Sequence, residues 1–312
     1  MKSEDKICTD HIAAVDVGTN TIRLLIGCVK NGKVIREVSK RYITRLGRNL
    51  LETGVLHQKS ILNSIEFIIN IKDTCENCHV KHIVAVGTSA VREALNSQDF
   101  LSLVEEKTGI EINVITGEME ADLTLTGIMN DAIFTGVASI IIDIGGGSTE
   151  WVYSEKLKPI NMGSIPIGAV KLKEKYVKHD PPLPSELESV RNYIHEIADP
   201  IFKTFAGDPS VTLTATGGTA TAIASIDLGL EQYNGDIIHS HKVTISSLSE
   251  LYNSLSVIPY NKRTEFKGME PERADIIIPG MLILMCIMET LQSDGVIMSD
   301  HGLLEGLILK HR

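Results

Sequence analysis

Two stretches of the sequence place the same reactive groups in the same order. Ala14-Val15-Asp16-Val17-Gly18-Thr19-Asn20-Thr21-Ile22-Arg23-Leu24-Leu25 and Ile141-Ile142-Asp143-Ile144-Gly145-Gly146-Gly147-Ser148-Thr149-Glu150-Trp151-Val152 each run from an apolar segment into an Asp, then a Gly/Ser/Thr turn, then a second apolar segment. The pattern predicts a strand, a tight turn and a return strand, with the Asp at the mouth of the turn. Glycine lets backbone N–H groups close round an anion with no side chain in the way. An Asp beside such a turn suits a hard divalent cation. Asp16 and Asp143 are therefore candidate ligands for Mg²⁺, with Mn²⁺ as the alternative ion. Thr19-Asn20-Thr21 and Gly145-Gly146-Gly147-Ser148-Thr149 are candidate phosphate cradles. A plain hairpin would account for one Gly-rich turn, but three consecutive glycines are conformationally costly and a hairpin does not need them. A further turn, Gly217-Gly218-Thr219, opens a helix after a strand, and its N-terminus is a ready anion site. Two related units in one chain predict two halves facing each other across a phosphate.

The rest of the chain must supply elements that hold these turns. Its 312 residues fit two domains, and 43% hydrophobic with 22% charged residues is ordinary for a globular protein. A net charge of −10 and an aromatic content of 4% argue against a nucleic-acid polymer or an anionic membrane as partner. Any basic contacts to a polyanion must be local. The polar first residues hold no export signal, and Ile276 to Met288 is too short to span a bilayer, so a cytoplasmic protein with one buried helix there is expected. Cys8, Cys28, Cys75, Cys78 and Cys286 do not form a disulfide framework. Cys75-Glu76-Asn77-Cys78-His79 matches a haem-attachment spacing but reads better as two thiols at a helix end. His239 and His241 share one face of an expected strand, which is too few ligands for a metal.

Periodicity gives an α/β order, twice over. In the first half, strands Ile12–Val17, Thr21–Val29 and Val34–Tyr42 form a meander whose second turn is Asn31-Gly32. A helix near Gln58–Lys72, strand His82–Gly87, a helix capped by Ser97 and ended by Gly109, strand Glu111–Ile115 and a helix capped by Thr116 follow. In the second half, strands Ser139–Ile144 and Glu150–Tyr153 lead to the Asp180–Pro184 connector. After it come helix Ser185–Lys203, strand Val211–Thr216, the small-residue helix after Gly218, helices Ser246–Val257 and Ala274–Leu291, strand Gly295–Ser299 and a last helix Gly302–His311.

The ordered motifs resemble the exopolyphosphatase/guanosine pentaphosphate phosphohydrolase (Ppx/GppA) family over essentially the full chain. The segments carrying the resemblance are Ala14–Leu25, Arg45-Leu46-Gly47, GTSAVREALN (Gly87–Asn96), ITGEMEADL (Ile115–Leu123), IDIGGGSTE (Ile142–Glu150), SIPIGAVKL (Ser164–Leu172), ATGGTA (Ala215–Ala220), ERADIIIPG (Glu272–Gly280) and SDHGLLEG (Ser299–Gly306). The resemblance implies two ribonuclease-H-like domains of the actin/Hsp70/sugar-kinase superfold, with the active site in the cleft between them. Residues 1–126 with a returning 300–312 helix would form the first domain and residues 127–299 the second. The chain looks like the short form, without the C-terminal helical extension of longer relatives.

The same resemblance implies roles. Glu120 matches the catalytic Glu that activates a water for in-line attack. Arg92 and Arg23 match phosphate-pairing arginines, although Arg23 equally suits a structural part. Glu150 matches a metal-water orienting group or additional ligand. Two departures stand out: Met119-Glu120-Ala121-Asp122 replaces an expected Glu-Glu-Ala-Arg, and Gly302-Leu303-Leu304-Glu305-Gly306 replaces Gly-Leu-Arg-Glu-Gly. The implied activity is Mg²⁺-dependent hydrolysis of a terminal phosphoric anhydride, in polyphosphate or in guanosine pentaphosphate, by a monomer or homodimer. A small-molecule kinase of the same superfold and a non-catalytic alarmone sensor are the rival readings.

Overall fold

The structure is a computed structural model that describes residues 10–130 and 138–311. Two sheets organise it. The first has order β3-β2-β1-β4-β5, from β1 (Ile12–Val17), β2 (Thr21–Lys30), β3 (Lys33–Ile43), β4 (His82–Gly87) and β5 (Ile112–Val114). The second has order β10-β11-β9-β6-β7-β8, from β6 (Ala138–Ile144), β7 (Thr149–Glu155), β8 (Lys158–Ile165), β9 (Val211–Thr216), β10 (Lys242–Thr244) and β11 (Gly295–Met298). In each, an antiparallel meander adjoins a parallel strand: β1 pairs with β2 and β4, as β6 pairs with β7 and β9. Removing β10 leaves one order repeated. These are the two ribonuclease-H-like α/β domains implied by the sequence.

Local chemistry explains most elements. Asn31 and Gly32 both have positive φ (53° and 80°), the requirement of the two-residue turn joining β2 to β3. The Thr116 hydroxyl accepts from the Met119 N–H at 3.2 Å and starts the Gly117–Met129 helix that carries Glu120. The Ile277–Leu291 helix is buried along nearly its whole length, with Pro279 in its first turn, where no intrahelical donor is lost. Among the described residues no helix is long and apolar enough to cross a membrane.

Three local readings need correction. β8 was not foreseen, because Lys158-Pro159 and Gly163 are poor strand formers; as an edge strand paired only with β7 it tolerates them. His239 and His241 do not lie in a strand. His239 follows the short Gly235–Ile238 helix and stacks on the His301 ring at 4.2 Å, whereas His241 Nε2 lies 2.6 Å from Asp227 Oδ2. Asn96, not Ser97, occupies the cap position of the Ser97–Thr108 helix. Cys75, Cys78 and Cys286 are free thiols, the first two at a helix end as expected; Cys28 is disulfide-bonded.

The last helix, Leu303–Lys310, returns to the first sheet. Leu303, Leu304, Leu307 and Ile308 pack with Ile12, Ala14, Leu25, Val86, Ile115 and Leu123. It lies so close to the Gly117–Met129 helix that a Cβ on Gly306 would come within 2.0 Å of the Leu123 carbonyl oxygen. Backbone cannot swing aside as a side chain can. Gly306→Ala should therefore destabilise the fold by about 1–3 kcal/mol, the usual cost of overpacking. Chemical denaturation checks this, and an unchanged midpoint would contradict the close approach.

Candidate active site

The repeat sets up the site strand by strand. Asp16 ends β1 and Asp143 ends β6, one residue before the last in each strand. Each is followed by the same turn bond: Gly18 N–H to Thr21 O at 3.1 Å, and Gly145 N–H to Ser148 O at 3.0 Å. The cross-strand partner, however, differs in sign. Asp16 faces Arg23 in register and pairs with it at 2.8 Å, while Asp143 faces Glu150. One half thus supplies a neutralised pair and the other a pair of like charges.

The two turns meet. A Cβ on Gly147 would fall 2.3 Å from Ser89 Oγ and 2.7 Å from Thr19 Oγ1, so only glycine lets the second turn approach the first this closely. Between them lies a small cleft of about 70 Å³. It is lined by Asp16, Thr19, Asn20, Thr21, Arg23, Glu120, Asp143, Gly145, Gly146, Gly147, Ser148, Gly217, Gly218 and Thr219, all foreseen from sequence, and also by Thr88, Ser89 and Arg273.

Three of the foreseen residues stand elsewhere. Thr149 is fully buried and donates its hydroxyl to the Ile167 carbonyl at 2.6 Å, which takes it out of the anion cradle. Arg92 does not line this small cleft; its Nη1 donates to the Ile115 carbonyl at 2.8 Å and lies 3.4 Å from Glu120 Oε2. Glu150 sits one layer back, accepting from Ser164 Oγ at 2.7 Å.

Electrostatics follow from this packing. Burial pushes the Glu120 carboxyl well above the usual carboxylate range, and Glu150, Asp16 and Asp143 push it further, against Arg92. Burial and Asp143 raise Glu150 to about 7, while bonds from Ser164 and Ser148 work the other way. Burial raises Asp143 too, with Arg23 opposing. Arg23 itself is penalised by burial, but Asp16 and Asp143 outweigh this and raise its pKa. Asp16 Oδ1 is buried without a hydrogen-bond partner. Four buried carboxylates with an orphaned oxygen among them call for a cation. The all-oxygen donor set, with room for water, fits a hard divalent ion.

A second chamber of about 370 Å³ shares Arg23, Gly217, Gly218 and Arg273 with the cleft. β3 lines one side with Arg36, Lys40 and Arg41, and Tyr233, Asp236 and Asp300 line the other. Arg41 sits over the Tyr233 ring at 3.6 Å. The Glu270 carboxylate bridges Arg41 and Arg273, bonding Arg273 Nε at 2.7 Å. Sequence reading missed this group. Basic residues on an edge strand look like ordinary protection against aggregation, and ERADIIIPG was quoted for resemblance without a role for Arg273. The two departures from the family pattern also find places. Asp122 points away from the cleft and pairs with Lys310 of the last helix. Leu304 lines the second chamber near Arg36, which pairs with Asp300 at 2.6 Å.

Two ribonuclease-H-like domains with paired Gly-rich turns and buried carboxylates in the cleft between them define a phosphate-handling protein of the superfold. The sequence matches the Ppx/GppA phosphatase family over residues 26–311, and the chain belongs to that family. It is 28% identical to exopolyphosphatase 2 of Mycobacterium tuberculosis, across 96% of this chain and 98% of that protein. The crystal structure of the Aquifex aeolicus member of the Ppx/GppA family matches it with a TM-score of 0.80 at 29% identity, covering 97% of both chains. The fold of an exopolyphosphatase from Cytophaga hutchinsonii matches at 0.89, with 24% identity over 97% of this chain and 98% of that one.

Glu150 titrates higher in the folded chain than in the unfolded one, so the folded state holds a proton that the unfolded state has released. With no divalent cation, its contribution to stability is present below the ordinary carboxylate value of 4.5 and is lost as pH rises through about 7. Glu150→Gln cannot ionise. It should gain stability relative to wild type over that window, and Mg²⁺ should close the gap by stabilising wild type at the upper end. Thermal unfolding across pH with and without Mg²⁺ tests this. A difference that does not vary with pH would contradict it.

Proposed function

We propose that the protein hydrolyses the terminal phosphoric anhydride bond of a polyphosphate chain in the cytoplasm, releasing orthophosphate, with Mg²⁺ (or Mn²⁺) in the cleft. The observation that carries this reading is the convergence, on one small cleft, of two Gly-rich anion turns, the three buried carboxylates Asp16, Glu120 and Asp143, and the Arg23 and Arg273 guanidiniums. The name and nearly full-length match of the mycobacterial relative support it. The turn N–H groups and hydroxyls of Thr19-Asn20-Thr21 and of Gly145 to Ser148 hold the terminal phosphate. Asp16 and Asp143 hold the cation, with Glu150 behind them. When bound, the ion offsets charge on both the carboxylates and the phosphate oxygens.

Glu120 is the base. Its raised pKa makes the carboxylate a stronger proton acceptor, and Arg92 beside it favours the ionised form needed for that step. Transfer to water through a loose transition state needs positioning and charge stabilisation, not a covalent intermediate. The second chamber has the room and cations for the phosphates that follow the terminal one.

A second substrate reading rests on that chamber. Tyr233 offers an aromatic face, and Asp236 and Asp300 offer acceptors, to a nucleoside carrying the triphosphate, as in guanosine pentaphosphate. Phosphate release with Mg²⁺ from long polyphosphate, guanosine pentaphosphate and ATP, for wild type and Glu120→Gln, tests both readings. Turnover of either of the first two, reduced about 10²–10⁴-fold in the variant, is the expected result. Binding of these ligands without turnover would favour a sensor, and transfer from ATP to a small acceptor would favour a kinase.

A further inference from the structure

Away from the cleft, where the Pro184–Phe202 helix packs on the Ile277–Leu291 helix, His195, Cys286 and Glu289 bring a nitrogen, a sulfur and an oxygen within 4.8 Å of one another. We propose that these three residues form a binding site for a borderline divalent transition ion, Zn²⁺ in the first instance, that clamps the two helices together.

The argument begins with His195. Its Nδ1 lies 3.0 Å from Asp199 Oδ1. Asp199 also accepts from Thr290 Oγ1 at 2.7 Å and pairs with Lys203 at 3.0 Å, so it serves these partners as a carboxylate acceptor. An ionised carboxylate only accepts, so Nδ1 carries the hydrogen. In the neutral ring the Nε2 lone pair then points outward, and it stands 3.8 Å from Glu289 Oε2. Two acceptors face each other there beside a thiol, and the space between them suits a cation. The carboxylate on the far nitrogen is the arrangement that fixes the tautomer and orientation of a metal-binding histidine. Arg191 bonds Glu289 Oε2 at 2.6 Å and steadies the third ligand from outside.

The donor types select the ion. A mixed sulfur, nitrogen and oxygen set fits Zn²⁺ rather than Mg²⁺ or Ca²⁺, and three protein ligands leave a fourth position for water. Cys286 and Glu289 lie three residues apart on one helix, with His195 on the other, so the ion would tie the helices directly. Binding forms the metal–sulfur bond as the Cys286 thiol proton leaves to solvent. The clamp has a consequence for the cleft. The Ile277–Leu291 helix backs the Gly217-Gly218-Thr219 turn, since a Cβ on its Gly280 would fall 2.6 Å from the Thr219 methyl.

Co²⁺ titration of the full chain tests the proposal, with Co²⁺ as the spectroscopic stand-in for Zn²⁺. With the cleft saturated by Mg²⁺, the expected result is one equivalent of Co²⁺ that develops a thiolate-to-cobalt charge-transfer band and the ligand-field bands of a four-coordinate ion. The charge-transfer band should vanish in Cys286→Ser and persist in Cys78→Ser. Because Cys286 is buried, the exposed Glu289→Gln is a second variant, expected to weaken Co²⁺ binding at least 10-fold, and Asp199→Asn should weaken it about 10- to 100-fold. Zn²⁺ should raise the unfolding temperature of wild type but not of Glu289→Gln. Absence of the band, or a band unchanged in Cys286→Ser or Glu289→Gln, would overturn the site.

Discussion

Everything in the cleft follows from one electrostatic constraint: four carboxylates, Asp16, Glu120, Asp143 and Glu150, are buried near one another, with the Arg23 pair on Asp16 and the more distant Arg92 as their opposing charges. Such a group is unstable when ionised and dry. Protons relieve it at low pH, which is why Glu150 and Glu120 titrate high. The divalent cation proposed for the cleft would relieve it at neutral pH. The fold accepts this local cost where two independent cores, one per sheet, provide the stability.

The duplication creates the cluster and also makes it asymmetric. Equivalent positions of the two meanders hold Asp16 and Asp143, and equivalent cross-strand positions hold Arg23 and Glu150. The first half gives a neutralised, positively flanked turn suited to anions. The second gives excess negative charge suited to a cation. A phosphate with its counter-ion needs both, and neither half supplies both. The halves are joined across the cleft by the ion pairs Arg45 with Asp275 and Lys171 with Glu93. Partly exposed pairs of this kind contribute roughly 0–1 kcal/mol each.

Much of this was legible in the residues. The strand–turn–strand repeats were visible because apolar runs ending in Asp and glycine have few other structural uses, and Glu120 was located by the ITGEMEADL segment. What could not be read was direction. Arg92 carries the charge that a phosphate contact would need, yet the Ser89–Glu93 helix turns it toward Glu120. Thr149 belongs to the Gly-rich run, but as the first residue of β7 its side chain points into the core. Arg273 lies in ERADIIIPG and Glu270 just before it, far in sequence from the Asp-turn motifs, so only folding brings them beside Arg23 and Arg41. The same holds for His195 and Cys286, which have no spacing in common until two helices pack. β8 escaped notice because strand propensity fails at edges.

The central claim is that one cation site is built jointly by both halves. Mn²⁺ binding followed by electron paramagnetic resonance, on wild type, Asp16→Asn and Asp143→Asn, tests it most directly. One Mn²⁺ bound in the wild type, with affinity falling at least 10-fold in either variant, is the predicted result. Unchanged binding in one of the two would show that a single half holds the ion, and the account of a shared site would be wrong.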